Sequence, residues 1–356
     1  MSMEEVIPPV RVAAAEQRGS DTLIEVTGLH ADYGFGEGSV HAVVDVDLTL
    51  HRGEVLGLAG ESGSGKSTLA YAITRLLRPP GIITAGRVRF RESVDLMSAT
   101  EHELRGLRWN EIAVVLQSSM NALNPVLRIG TQFADVLRAH QPGIRQTAMR
   151  QRSEELLEMV GIPADRLHSY PHELSGGMRQ RVMIATALAL DPAVVIMDEP
   201  TTALDVVTQR EILQELTALR DRLGFAVLFI SHDLSLLVEI ADSIAVMYAG
   251  RLVERGPANA VYRAPRHPYS LGLLNSFPPL HGPRRTMEGI PGSPPDLRTP
   301  PSGCAFHPRC RYTFDKCQAG PHPPLLAVDA GSRAAACWLQ DGTRTVPDEL
   351  ALEVFS

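Results

Sequence analysis

Lysine is nearly missing from this 356-residue chain: of its 34 basic residues only Lys66 and Lys316 are lysines, the rest being arginines. Long apolar runs are missing too. None approaches the ~20 residues needed to span a bilayer, and even the stretch from Ala185 to Met197 is broken by Asp191 and Pro192. The opening Met-Ser-Met-Glu-Glu lacks the basic and apolar regions of a signal peptide. The expectation is a chain made and kept in the cytoplasm, reaching a membrane only through a partner. An excess of positive charge is also absent; the formal net charge of −7 disfavours general nucleic-acid binding. Paired C-x₂-C spacings, internal repeats, a second phosphate loop and a long coiled-coil insertion are not found.

What is present starts around one of the two lysines. Gly60-Glu61-Ser62-Gly63-Ser64-Gly65-Lys66-Ser67-Thr68 follows the apolar run Val55 to Ala59 and precedes a helical pattern, so G-x-x-x-x-G-K-[ST] stands in a strand-to-helix setting. The glycines let backbone N–H groups close around phosphate oxygens, and the helix opening at Lys66 adds its positive dipole end. Lys66, a compact point charge, suits the β- and γ-phosphates better than a guanidinium fork, and Ser67 can hold Mg²⁺. The reading is a nucleoside triphosphate site.

Length and 44% apolar content fit one large and one small domain. Residues 1–20 show no periodicity and read as a mobile tail. Leu23 to Val26 and Val40 to Leu50 alternate as half-buried strands, giving an antiparallel β edge. Strand and helix patterns then alternate, with Ala193 to Met197, a helix from about Asp205 to Leu223, and Phe225 to Ile230. These predict an α/β fold with a parallel sheet covered on both faces. Residues 118–190 read as an inserted helical subdomain within a domain over 21–264. Beyond it, residues 265–356 hold 15 of the 26 prolines and all four cysteines, which reads as a separate, loop-rich module.

Two further motifs carry chemistry. Val194 to Met197 is an apolar strand ending in Asp198-Glu199, where Asp198 can bind Mg²⁺ and Glu199 can orient an attacking water; an ordinary turn capped by Thr201 or Thr202 is the other reading. Leu174-Ser175-Gly176-Gly177-Met178-Arg179-Gln180 opens a long helical run. Its glycines expose N–H groups at a helix N-terminus, a second anion site or a plain Ser cap.

Taken in order, Gly60 to Ser67, Gln117, Leu174 to Gln180, Asp198-Glu199, Ala203-Leu204-Asp205 and His232 resemble the phosphate loop, Q-loop, signature, magnesium and base strand, D-loop and switch histidine of ABC-type ATPases. The resemblance covers about residues 21–264 and implies the phosphate-loop (RecA-like) core of that family. Tyr33 resembles the family's adenine-stacking aromatic. The family pairs two subunits head to tail. By that resemblance Ser175, Gly176, Gly177, Gln180 and Asp205 of one chain act in trans on ATP held by the other's Lys66 loop. Magnesium is then held through Ser67, Gln117 and Asp198, while Glu199 and His232 are the catalytic pair. A soluble ABC ATPase not coupled to transport, or a regulatory ATP-binding module, are the other classes considered. The first lacks its coiled coil or tandem loops here, and the second does not explain an intact Glu199 and His232.

Cys304, Cys310, Cys317 and Cys337 are separated by 5, 6 and 19 residues. Four thiols in one tail point to metal rather than disulfides, and spacing alone leaves Zn²⁺, an iron–sulfur cluster or unmetallated thiols open. Arg266-His267-Pro268-Tyr269, Leu273-Leu274, Pro278 and Gly303-Cys304-Ala305-Phe306-His307-Pro308-Arg309-Cys310 resemble the C-terminal extension of oligopeptide/dipeptide importer ATPases. That resemblance implies a 4Fe-4S cluster on all four cysteines; His307 and His322 are possible ligands but read as surface loop residues. It also implies a second ATPase subunit, usually of a different chain, two transmembrane permease subunits and an extracytoplasmic binding protein, with this chain at the cytoplasmic face of the membrane. After Gln117 the chain departs from the importers, which more often have an acidic residue and proline where Ser118-Ser119 stand.

Overall fold

The computed structural model describes residues 21–36, 38–116, 122–202, 204–276, 289–331 and 333–352. The expected N-terminal tail, Gln117 with the Ser118 to Asn121 segment, Ala203 and Pro278 lie outside the described residues.

Two long strands, β1 (Thr22–Tyr33) and β2 (Val40–His51), bury alternate apolar residues and pair antiparallel. The fully buried β3 (Val55–Ala59) turns through the glycine-rich loop into α1 (Lys66–Ile73). Next, β4 (Gly81–Phe90) and β5 (Val94–Asp95) complete a four-stranded antiparallel sheet in the order β2-β1-β4-β5. Helix α2 (Glu101–Leu107) carries a reciprocal cap between Thr100 and Glu103 and leads to β6 (Ile112–Val115).

Between β6 and the next core strand the described chain has helices and short 3₁₀ turns only: α3 (Ile129–His140), α4 (Gln146–Met159) and α5 (Gly176–Ala187). Phe133, Leu137, Leu156 and Leu157 are buried among them. The core then resumes with β7 (Val194–Asp198), α6 (Val206–Leu223), β8 (Ala226–Ser231), α7 (Leu234–Ile240), β9 (Ser243–Tyr248), β10 (Arg251–Pro257), α8 (Ala258–Arg263) and α9 (Pro268–Asn275). Asp205 caps α6 at its start, and Gly224, in the left-handed region at φ 75°, ends it. The tail adds α10 (Asp315–Ala319), β11 (Leu326–Val328), β12 (Arg333–Ala335) and α11 (Asp348–Ala351).

Among the described residues the central sheet has the order β11-β12-β10-β9-β3-β8-β7-β6, and β6, β7, β8, β3 and β9 run parallel. Its parallel strands are apolar on both faces, as a sheet covered twice must be. Val55, Val195, Met197, Val227 and Phe229 face one core with the helical segment and the tail. Leu56, Leu58, Val194, Ile196 and Leu228 face the other, with α1 and the antiparallel sheet. Every strand of the parallel set ends at the same edge, where loops from β3, β7 and β8 meet.

The tail is loop-rich, but it does not stand apart as its proline content suggests. β12 pairs with β10 and extends the core sheet, covering an edge that would otherwise expose unpaired backbone. Glu254 on β10, fully buried, fastens it: its carboxylate accepts from the backbone N–H groups of Arg266 (2.8 Å) and His267 (2.9 Å) and from Arg333 Nη2 (2.8 Å).

Candidate nucleotide site

The loop from Gly60 to Gly65 depends on missing side chains at two points. Gly60 has φ 151°, and a Cβ there would lie 2.3 Å from the Met247 carbonyl oxygen; Gly65 has φ 105°, and its Cβ would lie 2.1 Å from the Ala42 carbonyl oxygen. Gly65 is also the N-cap of α1 and offers no side-chain acceptor, so the first N–H groups of that helix point at whatever the loop encloses. Lys66 is 5% exposed, and its Nζ donates to the carbonyls of Gly60 (2.8 Å) and Glu61 (2.9 Å). Burial lowers its proton affinity, opposed by the carboxylates of Glu199, Asp198 and Glu61. Tyr33, at the end of β1, brings its hydroxyl 3.3 Å from Thr68 Oγ1 on α1.

Asp198 ends β7 at 0% exposure, and neither carboxylate oxygen has a hydrogen-bond partner. Burial raises its pKa; the Ser67 hydroxyl facing it, Lys66 and Tyr71 pull the other way, and Glu199 adds to the rise. A buried carboxylate with only two hydroxyls at hand, neither in good hydrogen-bond geometry, is costly, and a divalent cation beside Ser67 would satisfy it, so the residues present fit Mg²⁺. Glu199 follows with φ 45°, a left-handed backbone costly for a side-chain-bearing residue. Its carboxylate accepts from Thr202 Oγ1 at 3.1 Å and meets His232 Nδ1 at 3.3 Å. Phosphate loop, Asp198, Glu199 and His232 therefore gather at the ends of β3, β7 and β8.

Ser175, Gly176 and Gly177 lie on the helical segment. Ser175 caps α5 by accepting from Met178 N at 3.2 Å. A Cβ on Gly177 would sit 2.7 Å from Thr208 Cγ2, so the starts of α5 and α6 touch. Asp205 spends its carboxylate on that second start, accepting from Val207 N (3.1 Å), Thr208 N (3.0 Å) and Thr208 Oγ1 (2.8 Å), bonds that hold its pKa down. Gln180 departs from expectation: it is fully buried behind the turn rather than presented to a partner.

In the tail the four cysteines are free thiols. They line one small cavity together with His267, Phe306, His307, Tyr312, Trp338 and Leu339. Burial pushes the Cys304 thiol up to about 11 and Cys310 to about 12, and neighbouring cysteines add to both. Among the described residues, however, no group of three or more His, Cys, Asp or Glu side chains converges so as to hold a single metal ion. His307 is half-buried beside the cavity, its Nδ1 3.0 Å from the Cys304 carbonyl. His322 is half-buried as well, near Arg251.

Sequence reasoning gave no role to two residues that touch the phosphate loop. Tyr269, fully buried on α9, accepts from the Glu61 backbone N–H at 2.7 Å, and Arg309 makes a two-pronged ion pair with the Glu61 carboxylate. Both stand inside quoted tail motifs, but nothing local tells which distant loop they meet.

The ABC transporter family model matches residues 43–202, and that of the oligopeptide/dipeptide transporter C-terminal region matches residues 253–317. The dipeptide transport ATP-binding protein DppD of Caldanaerobacter subterraneus subsp. tengcongensis is 42% identical over 323 residues, 90% of this chain and 98% of that protein. The oligopeptide transport ATP-binding protein OppD of Bacillus subtilis is 42% identical over 333 residues, 92% of each. Among solved structures, a dimeric post-hydrolysis state of the ATP-binding cassette MJ0796 bound to ADP and Pi is similar at a TM-score of 0.59 and 28% identity, covering 66% of this chain and 99% of that one. The chain belongs to the ATP-binding subunits of ABC-type oligopeptide and dipeptide importers.

Proposed function

We propose that this chain hydrolyses ATP to power uptake of dipeptides or oligopeptides across the cytoplasmic membrane. The observation that carries the chemistry is the unpartnered, buried Asp198 carboxylate beside Ser67 and Lys66, with the Glu199–His232 pair next to it. Backbone N–H groups of the loop and α1, with Lys66, bind the triphosphate. Ser67 and Asp198, with Gln117, would hold Mg²⁺, which would supply charge neutralisation on the phosphates. Glu199 orients the attacking water, and His232 contacts the γ-phosphate and keeps Glu199 in place. Phosphoryl transfer needs positioning and electrostatics more than covalent steps, which is what these groups offer. Tyr33 stacks on adenine.

The pocket is completed by a second ATPase subunit, in the reading we favour a different chain, whose Ser175 to Gly177 turn closes on the γ-phosphate with Asp205 at the seam. Val206 and Val207, 68% and 69% exposed beside Asp205, support a partner-facing surface there. No helix of the described residues is long and apolar enough to cross a membrane, in keeping with a peripheral subunit seated on two permease subunits at the cytoplasmic face and served by an extracytoplasmic binding protein.

The tail carries a 4Fe-4S cluster on Cys304, Cys310, Cys317 and Cys337. What supports this reading is that all four thiols line one cavity. Residues 21–264 form the ATPase domain, with the helical subdomain at about 118–190, and residues 265–356 the extension.

Uptake of a labelled dipeptide into vesicles holding the assembled complex tests the transport reading: it is expected to need ATP and to stop with Lys66→Ala. Full ATP turnover without peptide uptake would overturn it. For the tail, anaerobic purification is expected to yield brown protein with about four iron and four sulfide per chain; stoichiometric zinc in colourless protein would overturn the cluster.

A further inference from the structure

The cysteine-bearing tail reaches into the nucleotide site through one side chain. Arg309 immediately precedes Cys310, and its side chain is 5% exposed. Its Nη1 and Nη2 donate to Glu61 Oε2 and Oε1 at 2.7 and 2.9 Å, and its Nε donates to the Pro291 carbonyl at 2.8 Å. The guanidinium also lies over the rings of Tyr248 and Phe306, at 5.8 and 6.0 Å. Such a parallel pair fixes orientation as well as distance. Glu61 is the second residue of the phosphate loop, and every handle it has is taken: the side chain by Arg309, the backbone N–H by Tyr269 at 2.7 Å, the carbonyl by Lys66 at 2.9 Å.

We propose that Arg309 is a positioning residue for ATP binding, through which the cysteine module braces the phosphate loop by its grip on Glu61. The loop's free N–H groups must point inward together to bind phosphate, and a loop of glycine and serine has little stiffness of its own. A buried arginine anchored at Pro291 supplies that stiffness from 248 residues away in sequence. Because Arg309 and Cys310 are adjacent, disturbance of the cysteine cavity reaches the loop within one residue. The proposal rests on reading the Lys66 loop as the ATP site.

The test is equilibrium binding of Mg·ATP to the full-length chain, with the ATPase kinetics of the assembled complex, for Arg309→Ala, Arg309→Lys, Glu61→Gln, the Glu61→Gln/Arg309→Ala double variant, Tyr269→Phe and Lys66→Ala. Arg309→Ala is expected to weaken ATP binding about tenfold and raise KM with kcat nearly unchanged, and Arg309→Lys to recover part of the loss, since lysine lacks the fork. The double variant should bind no worse than Arg309→Ala alone, because both changes remove one contact. Tyr269→Phe, which deletes only the hydroxyl, should also raise KM. If Arg309→Ala melts earlier yet binds ATP normally, or if the Glu61 and Arg309 effects add, the coupling is refuted. Should Lys66→Ala leave ATP binding intact, the site reading itself fails; with Lys66→Ala inactive and Arg309→Ala normal, only the coupling fails.

Discussion

His232 Nδ1 lies 3.3 Å from Glu199 Oε1, joining the end of β8 to the end of β7 across the mouth of the phosphate loop. The histidine is 48% exposed at its side chain while the glutamate is 13% exposed. One group is therefore open to solvent while the other stays sheltered beside Asp198.

This pairing separates binding from turnover. Glu199→Gln keeps the shape and the Thr202 contact but cannot accept a proton, so ATP affinity should stay within about twofold while turnover falls by ~10²-fold or more. His232→Ala should likewise spare binding and lower kcat. Isothermal titration with phosphate-release kinetics checks both; a Glu199→Gln complex that hydrolyses at the normal rate contradicts the role given to Glu199.

Asp198 predicts an exchange of stability for function. Its two unpartnered, fully buried oxygens destabilise the nucleotide-free fold, so Asp198→Asn should stabilise the free protein by on the order of 1–3 kcal/mol and raise its thermal midpoint. The same change should remove Mg²⁺-dependent stabilisation by ATP and abolish hydrolysis. A melting curve with and without Mg·ATP reads both; an asparagine variant less stable than the parent in the free state would argue against the orphaned charge.

Gly65→Ala places a methyl 2.1 Å from the Ala42 carbonyl oxygen on a backbone of φ 105°. The loop must shift, at a cost of ~1–3 kcal/mol, and ATP binding should weaken about tenfold or more. Gly63→Ala is the matched comparison, since a Cβ there meets nothing within 4 Å although φ is 79°. If the two variants bind ATP equally, crowding at Gly65 is not what shapes the site.

The proposed trans action of this turn is probed by Gly177→Asp. A carboxylate at the start of α5 would repel the γ-phosphate of a nucleotide held across the proposed interface, and it crowds Thr208. ATP should still bind the chain's own loop while nucleotide-dependent pairing and hydrolysis are lost. Sedimentation with the Glu199→Gln background follows pairing directly; unchanged pairing would remove Gly177 from the interface.

Anchoring of the tail depends on a buried ion pair. Arg333 and Glu254 side chains are 4% and 1% exposed and 2.8 Å apart, so Arg333→Ala strands a carboxylate and should cost about 3–5 kcal/mol. Chemical denaturation of the full chain measures it. A loss below 1 kcal/mol would mean the tail is held mainly by its apolar contacts.

The sequence by itself determined the parts whose chemistry is local. A strand, a glycine turn and a helix start lie within about fifteen residues, so Gly60 to Thr68 announces phosphate binding without knowledge of any neighbour. The same holds for Asp198-Glu199 on an apolar strand and for the helix expected from about Asp205 to Leu223, although its cap is Asp205 rather than Thr201 or Thr202. Only the tertiary structure decided which residues face one another across long stretches of chain. Proline content marked the tail as separate, but β10 offered an open sheet edge and buried Glu254 demanded donors, so β12 and Arg333 joined the core. Gln180, which the family resemblance implied acts across to a partner, is fully buried within this chain. Arg309 and Glu61, 248 residues apart, could not be paired by any local pattern. Hydrophobic periodicity and turn chemistry act over a few residues, whereas the partner of a buried charge is fixed by how whole sheets and helices stack.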